Sequence, residues 1–274
     1  MPDFFPRTTD LPPQSPLFWV QHKDRYLRQL LIRDIEAKTG RSLICYYADC
    51  DSQESSIDGG DDVYIAELLN GAGSGPIDLF LETNGGATDA TEKICSLLRS
   101  NGRDLRVIVP RRAKSNGTVV ALSGSHILMG IESELGPIDP HIGIVPVEFI
   151  LNAPQGTMNV IDLQSAQTFR KQTEKLAKSL LLTGMLKGST ADVVEALVQK
   201  LATRSQYHSH GSVIDMPEAI DLGLNIVSHA PTDELWRLVS LLRAMYQFDC
   251  QQQGAVKIFE TSKISLVVAK SKAA

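Results

Sequence analysis

No stretch of this 274-residue chain reaches about 18 consecutive apolar residues, so no membrane-spanning helix is expected. A basic surplus is also missing. The formal net charge is −5, which leaves no global positive field to draw in nucleic acid, and none is expected as a partner. There is no CxxC pair. The four cysteines, Cys45, Cys50, Cys95 and Cys250, show no ligand spacing with histidine, which argues against a structural zinc site. They read as free thiols of a reducing cytosol, so the expected location is cytoplasmic. The opening MPDFFPRTTDLPPQSPLFWV lacks a basic segment followed by a long apolar run, so no signal peptide is expected. Internal repeats, low-complexity tracts and a clear linker are absent as well, and no motif calls for a cofactor. What remains is ordinary for a soluble globular protein: 43% apolar and 22% charged residues, in a length that suits one domain.

That domain is expected to divide into an extended proline-rich arm (1–16), a core (17–230) and a C-terminal helix-and-hairpin appendage (231–274). Residues 17–39 show helical spacing, with Leu27, Leu30, Leu31 and Ile35 on one stripe and Gly40 as the cap. RSLICYYA reads as a buried strand. DCDSQESSIDGGDD is a polar loop whose final acidic pair opens the helix VYIAELLNGA. Then strands 76–83, 105–110 and 126–130 alternate with the helix TEKICSLLRSN and a short helix over about 117–124. Such alternation predicts right-handed crossovers and a parallel sheet. Residues 136–160 are rich in Pro and Gly and lack clear periodicity. Helices follow over 161–184, 190–202, MPEAIDLG and TDELWRLVSLLRAMYQF, with a short strand LNIV before the last. VKIFE and ISLVV form a hairpin.

Three segments carry possible chemistry. Asn84-Gly85-Gly86 directly follows a strand. Paired glycines let backbone N–H groups face a ligand, though any α/β protein needs tight turns there. Ser115-Asn116-Gly117-Thr118 follows the next strand and opens a helix. Ser115 is thus either an ordinary N-cap or a nucleophile at a helix mouth. Turns after neighbouring parallel strands lie side by side, so the Gly86 and Asn116 amides can converge on one oxyanion. The third set is histidine-bearing: LGPIDPH, with Asp139 and His141, and YHSHG, with His208 and His210. A serine needs a base, and these histidines are the candidates. An HxH pair can also bind metal, but no third ligand of suitable spacing is evident. His22, His126 and His229 read as structural or surface residues.

Taken together and in order, LFLETNGGATDATEKICSLLR, VIVPRRAKSNGTVVALSGSHILMG, SELGPIDPHIG and PEAIDLGL resemble the serine dehydrogenase proteinase family. That family belongs to the Clp/crotonase-fold serine peptidases, with the Clp proteolytic subunit and the signal-peptide-peptidase A group as relatives. The resemblance runs from about residue 28 to 227. It implies an α/β fold of Clp/crotonase type, a ββα superhelix of stacked βαβ units with flanking helices, extended here by a C-terminal helix and hairpin. The family's SAGT-like segment stands here as SNGT, which implies Ser115 as nucleophile. Asn116 replaces a usual small residue, yet still supplies a backbone N–H. The glycine pair implies Gly86 as the other oxyanion donor.

The base stays open. The Clp subunit places a histidine downstream of its serine and an aspartate before the helix matching PEAIDLGL. Here the first region holds Asp139 and His141 and the second holds His208 and His210. Acid and base thus exchange places, with His210 as base and Asp139 orienting it. The family's GPIDPQ is GPIDPH here, which makes His141 the second candidate. The signal-peptide-peptidase group uses a serine–lysine dyad, which brings in Lys171, Lys175 and Lys178 third. The implied activity is serine endopeptidase, acting on a peptide or unfolded protein and assembled as a homo-oligomer through helix 161–184 and the hairpin. A catalytically inactive scaffold and a crotonase-type acyl-CoA enzyme are the alternatives.

Overall fold

The computed structural model describes residues 15–271. The arm expected over 1–16 therefore lies outside the described residues, apart from Ser15 and Pro16. Ser15 accepts the Phe18 amide at 3.2 Å and caps α1 (Pro16–Gln21). The single helix expected over 17–39 breaks at His22, and α2 (Lys23–Thr39) begins after it. α1 buries no residue, so no core contact holds it on the axis of the core-facing helix; surface ring contacts such as Trp19 with Tyr26 touch α2. α2 buries Arg28, Leu31, Ile32 and Ile35, and Gly40 ends it in the left-handed region at φ 67°.

From there strands and helices alternate. They are β1 (Ser42–Ala48), α3 (Asp61–Gly71), β2 (Ile77–Glu82), α4 (Thr88–Ser100), β3 (Leu105–Val109), the short β4 (Arg112–Ala113), α5 (Asn116–Ala121) and β5 (His126–Met129). β6 (Glu134–Leu135) comes next, and the stretch without periodicity after it holds β7 (His141–Ile142), β8 (Val145–Pro146) and α6 (Val147–Leu151). Then come α7 (Val160–Thr183), α8 (Ala191–Ala202), β9 (Ile214–Asp215), α9 (Met216–Asp221), β10 (Ile226–Ser228), α10 (Glu234–Gln253), β11 (Ala255–Glu260) and β12 (Ser265–Ala269).

The main sheet has the order β10-β5-β3-β2-β1-β11-β12. Its first five strands run parallel, as alternation with helices requires. The hairpin does not hang off the core. β11 pairs antiparallel with β1, Cys45 opposite Glu260, and so completes the sheet. β1 and β2 are buried on both faces, which accounts for the nearly continuous apolar sequence of β1. β2, by contrast, carries the buried Asp78 and Glu82, paired with Arg41, Arg106 and Arg243.

The period of two in β1 divides the core. Ile44, Tyr46 and Ala48 face one hydrophobic cluster, which includes Ile65, Ile94, Val119, Leu180 and Leu197 from α3, α4, α5, α7 and α8. Leu43, Cys45 and Tyr47 face the other, built with Ile32 and Ile35 of α2 and Trp236, Leu242 and Tyr246 of α10. Each such side chain contributes about 1.5–3 kcal/mol on full burial. Gly130 serves this second layer, because a Cβ there would fall 2.3 Å from the Trp236 indole nitrogen.

Two buried ion clusters tie the hairpin to the rest. Lys257, 1% exposed, donates to Asp58 at 2.6 Å and to both Asp61 oxygens at 2.9 and 3.0 Å. Tyr46 donates to Asp61 at 2.6 Å. Arg28 holds Glu260 with two bonds, at 2.7 and 3.0 Å, and also pairs with Asp249. Pairing at this level is what makes charge tolerable in a core.

Candidate active site

β2 and β3 are neighbours in register, Phe80 beside Ile108, so the loops that leave their C-terminal ends emerge together. The Thr83 and Ala113 backbones extend the pairing by one bridge. Beyond it the two chains diverge into the glycine turn and the serine loop.

Ser115 adopts φ 51° and ψ −123°, the only non-glycine positive φ among the described residues. Such a conformation costs on the order of 1–3 kcal/mol and persists only where surroundings enforce it. It turns the chain sharply from β4 into α5, with the hydroxyl carried on the elbow. The hydroxyl caps no amide of α5, so an ordinary capping role does not account for it. Gly117 permits the elbow to pack, since a Cβ there would lie 2.7 Å from the Thr83 methyl. Thr118 fixes its far side. Its hydroxyl accepts the Gly136 amide at 3.0 Å and has the Ala113 and Gly136 carbonyls within 2.7 and 2.9 Å.

The glycine turn presses against this elbow. A Cβ on Gly85 would fall 2.8 Å from the Asn116 nitrogen and 2.9 Å from the Ser115 Cβ. Gly86 lies flat on Ile57, whose carbonyl would be 2.3 Å from an added Cβ. Ile57 bonds the flanking residues, donating to the Gly85 carbonyl and accepting the Ala87 amide, both at 2.9 Å. The Gly86 amide is left without an acceptor among the described residues, and so is the Asn116 amide. The Asn116 side chain joins the two loops, donating to the Gly86 carbonyl at 2.6 Å and to the Thr88 hydroxyl at 3.2 Å. Two unused N–H groups on touching loops are the raw material of an oxyanion site.

Across the cleft stands Asp139, 3% exposed. Its Oδ1 lies 2.6 Å from Nδ1 of His210, and its Oδ2 lies 3.1 Å from Nε2 of His141. The two imidazole rings sit 4.3 Å apart. Arg204 Nε donates to the same Oδ2 at 3.2 Å. Burial pushes the Asp139 carboxyl upward, but the bonds and charge of His210 and then His141 outweigh it and hold the carboxyl below its usual range. Burial, followed by the neighbouring His210, holds His141 below the usual histidine value, although Asp139 pulls the other way. Ser115, Gly86, Asn116, Asp139, His141 and His210 all line one cleft of about 370 Å³, together with Ser56 and Thr173.

The sequence matches the ClpP-like SDH-type serine proteinase family over residues 57–265. The chain belongs to that family. Among curated relatives it is 29% identical over 191 residues to the uncharacterized protein MJ0137 of Methanocaldococcus jannaschii, covering 66% of this chain and 62% of that one. To MJ1495 of the same organism it is 28% identical over 164 residues, covering 57% and 53%. The chain thus spans less than two thirds of the length of these relatives. Among solved structures, a point mutant of ClpP1 from Listeria monocytogenes aligns over 76% of this chain and 99% of its own, at TM-score 0.48 and 15% identity. ClpP1 itself aligns over 74% and 96%, at 0.45 and 15%.

Within this member of the family, the lysine alternatives lie elsewhere. Thr173 of α7 reaches the Ser115 cleft. Lys171 and Lys175, two residues to either side, point away from it at 3.6 residues per turn, and line a separate groove with Glu92 and Arg99 of α4. Lys178 pairs with Glu195. Nor does the HxH pair act together. His208 lies against the Arg204 carbonyl at 3.2 Å, whereas His210 faces Asp139.

Two neighbours of the site were not singled out from the sequence. Lys114 donates to the carbonyls of Ser212 at 2.9 Å and Gly211 at 3.4 Å, which ties the His210 loop to the serine loop. Its place in the basic run beside Ser115 was the available signal. Arg204, besides bonding Asp139, donates to the His208 carbonyl at 2.7 Å. Asp139 is remote from it in sequence, and no motif marks it. No helix among the described residues is long and apolar enough to cross a membrane.

Proposed function

We propose that this chain is a serine endopeptidase that cleaves peptides or unfolded protein through an acyl-enzyme on Ser115. The observation that carries the reading is the 2.6 Å contact between Asp139 and His210, on the cleft that also holds Ser115 at its strained elbow. With Nδ1–H donated to Asp139, the other His210 nitrogen has a lone pair to accept a proton.

Ser115 Oγ attacks the scissile carbonyl while His210 Nε2 takes its proton. Asp139 holds the imidazole in that tautomer and stabilises the imidazolium as it forms. The Gly86 and Asn116 amides bind the oxyanion, and removal of one such donor costs about 100–1,000-fold in rate. His210 then protonates the leaving amine. Water, deprotonated by the same nitrogen, hydrolyses the ester and restores Ser115. In this reading acid and base have exchanged the positions they hold in the Clp subunit. His141 is a second donor to Asp139. The enzyme works in a reducing compartment, as a homo-oligomer.

An acyl-CoA enzyme would use the paired amides but would have no need of the Asp139–His210 pair or of a strained serine. An inactive scaffold would leave Ser115 unreactive. A fluorophosphonate probe decides. Labelling of the parent at Ser115, with peptide turnover reduced about a millionfold in Ser115→Ala, is expected. Equal turnover by Ser115→Ala would refute the assignment.

A further inference from the structure

We propose that Asp139, His141 and His210 form a binding site for a zinc-class divalent transition-metal ion, which silences the enzyme by taking the nitrogen that orients its base. The metal site itself stands on geometry alone. Only the silencing rests on the peptidase reading.

One ligand atom from each residue lies within 4.8 Å of the other two. Two of the three separations are already short: 2.6 Å from His210 Nδ1 to Asp139, and 3.1 Å from His141 Nε2 to Asp139. Zinc bonds nitrogen and oxygen at about 2.0–2.2 Å, which puts tetrahedral donors about 3.4 Å apart. The trio needs only small ring rotations to meet that spacing. Two imidazoles and one carboxylate suit zinc, cobalt, nickel or copper and do not suit magnesium or calcium, which take oxygen donors. The cleft leaves a fourth position for water.

The sequence hides this site. Its visible pair, His208 and His210, is not the ligating pair, and the carboxylate comes from 71 residues before His210. The second nitrogen ligand is His141, two residues after Asp139. As an imidazole it brings a lone pair that can bind a transition metal.

The consequence for chemistry follows from tautomers. Catalysis needs the proton on His210 Nδ1 and a lone pair on Nε2. A metal on Nδ1 needs the reverse, so the proton sits on Nε2 and Ser115 loses its acceptor. Nothing is oxidised and no bond to Ser115 forms. The ion replaces a hydrogen bond and can be removed by a chelator. Arg204, 3.2 Å from the same carboxylate, opposes the cation electrostatically. It can retreat to the His208 carbonyl and to the Phe149 ring, over which it already lies at 5.0 Å.

The test uses the full chain with Co²⁺ and Zn²⁺, followed by equilibrium dialysis and the cobalt visible spectrum. The expected result is one ion per chain, a d–d band without sulfur charge transfer, and binding at least about tenfold weaker in His141→Gln and in His210→Gln. His208→Gln and Ser115→Ala should bind as the parent does. No binding by the parent, or equal binding in His141→Gln, overturns the site. Loss of binding in His208→Gln overturns it too, because the ligands would then be the sequence-adjacent pair. In a parallel assay, Zn²⁺ should suppress fluorophosphonate labelling of the parent and a chelator should restore it. Binding without suppression would leave the metal site standing and remove His210 as the base.

Discussion

Two groups of charged side chains in this molecule are built from similar parts and do opposite work. In the first, Lys257 spends its three donors on Asp58 and Asp61, and Asp61 takes in Tyr46 as well. Lys257 and Asp61 side chains are 1% exposed; Asp58 is 61% exposed, but it and Asp61 take up all three donors of Lys257. In the second, Asp139 is buried, but the His210 side chain is 33% exposed and borders a cleft. Among the described residues, one His210 nitrogen and two backbone amides nearby have no partner. A closed group stabilises the fold and has nothing left for a ligand. An open group keeps unsatisfied polar atoms where something else can arrive. Completeness of hydrogen bonding, more than charge or burial, separates the two.

The contrast can be broken in order of size. Asp139→Asn should lower turnover about 10⁴-fold by favouring the wrong His210 tautomer, with little change in melting; steady-state kinetics beside a thermal scan would check both. Lys257→Met should do the reverse. It leaves Asp58 and Asp61 without their cation and should cost about 3–5 kcal/mol in urea unfolding, with turnover by the folded fraction intact. A neutral Lys257→Met would mean that the closed group is dispensable.

Smaller still is Asn116→Ala. It keeps the backbone amide and removes the side-chain clamp on the Gly86 carbonyl. A lost hydrogen bond of about 0.5–1.5 kcal/mol should appear as a fall of up to about tenfold in kcat, with KM little changed. The smallest effect concerns acid. Asp139 is held below its ordinary range, so its contribution to stability is present above the unfolded value near 4 and fades as pH falls through the lower folded value. Asp61 moves the other way, held up by burial, so ionising it weighs against folding as pH rises. Between pH 5 and pH 3 the stability gap between the parent and Asp139→Asn should narrow. A gap that widened would contradict the sign.

Much of this was legible in the sequence, for local reasons. A nearly continuous apolar run marked β1, alternation with helices marked β2, and a period near 3.6 marked α4, α8 and α10. Ser115 and the glycine pair stood out because a strand-to-helix turn is written in consecutive residues. Much that depended on distant partners was hidden, although the family resemblance did name Asp139 for His210. The hairpin looked like an appendage because nothing in VKIFE names β1 as its neighbour, and Lys257 in that run reads as a surface residue although it is buried. Arg204 finds Asp139 across 65 residues. Lys171 and Lys175 face another groove through rotational phase, which the motif does not carry. Short pieces such as β4, β6, β9 and α6 are too brief for any periodicity to show.

The pairing of β1 with β11 bears on biosynthesis. Cys45 meets Glu260 across more than 200 positions. At about 5–20 residues per second, a ribosome needs roughly 10–40 s to deliver the second strand after the first. For that interval an early strand offers bare peptide groups to any passing chain, and Arg28 waits for Glu260. A nascent polypeptide of this design is therefore a natural client for chaperones that shield β edges until translation catches up.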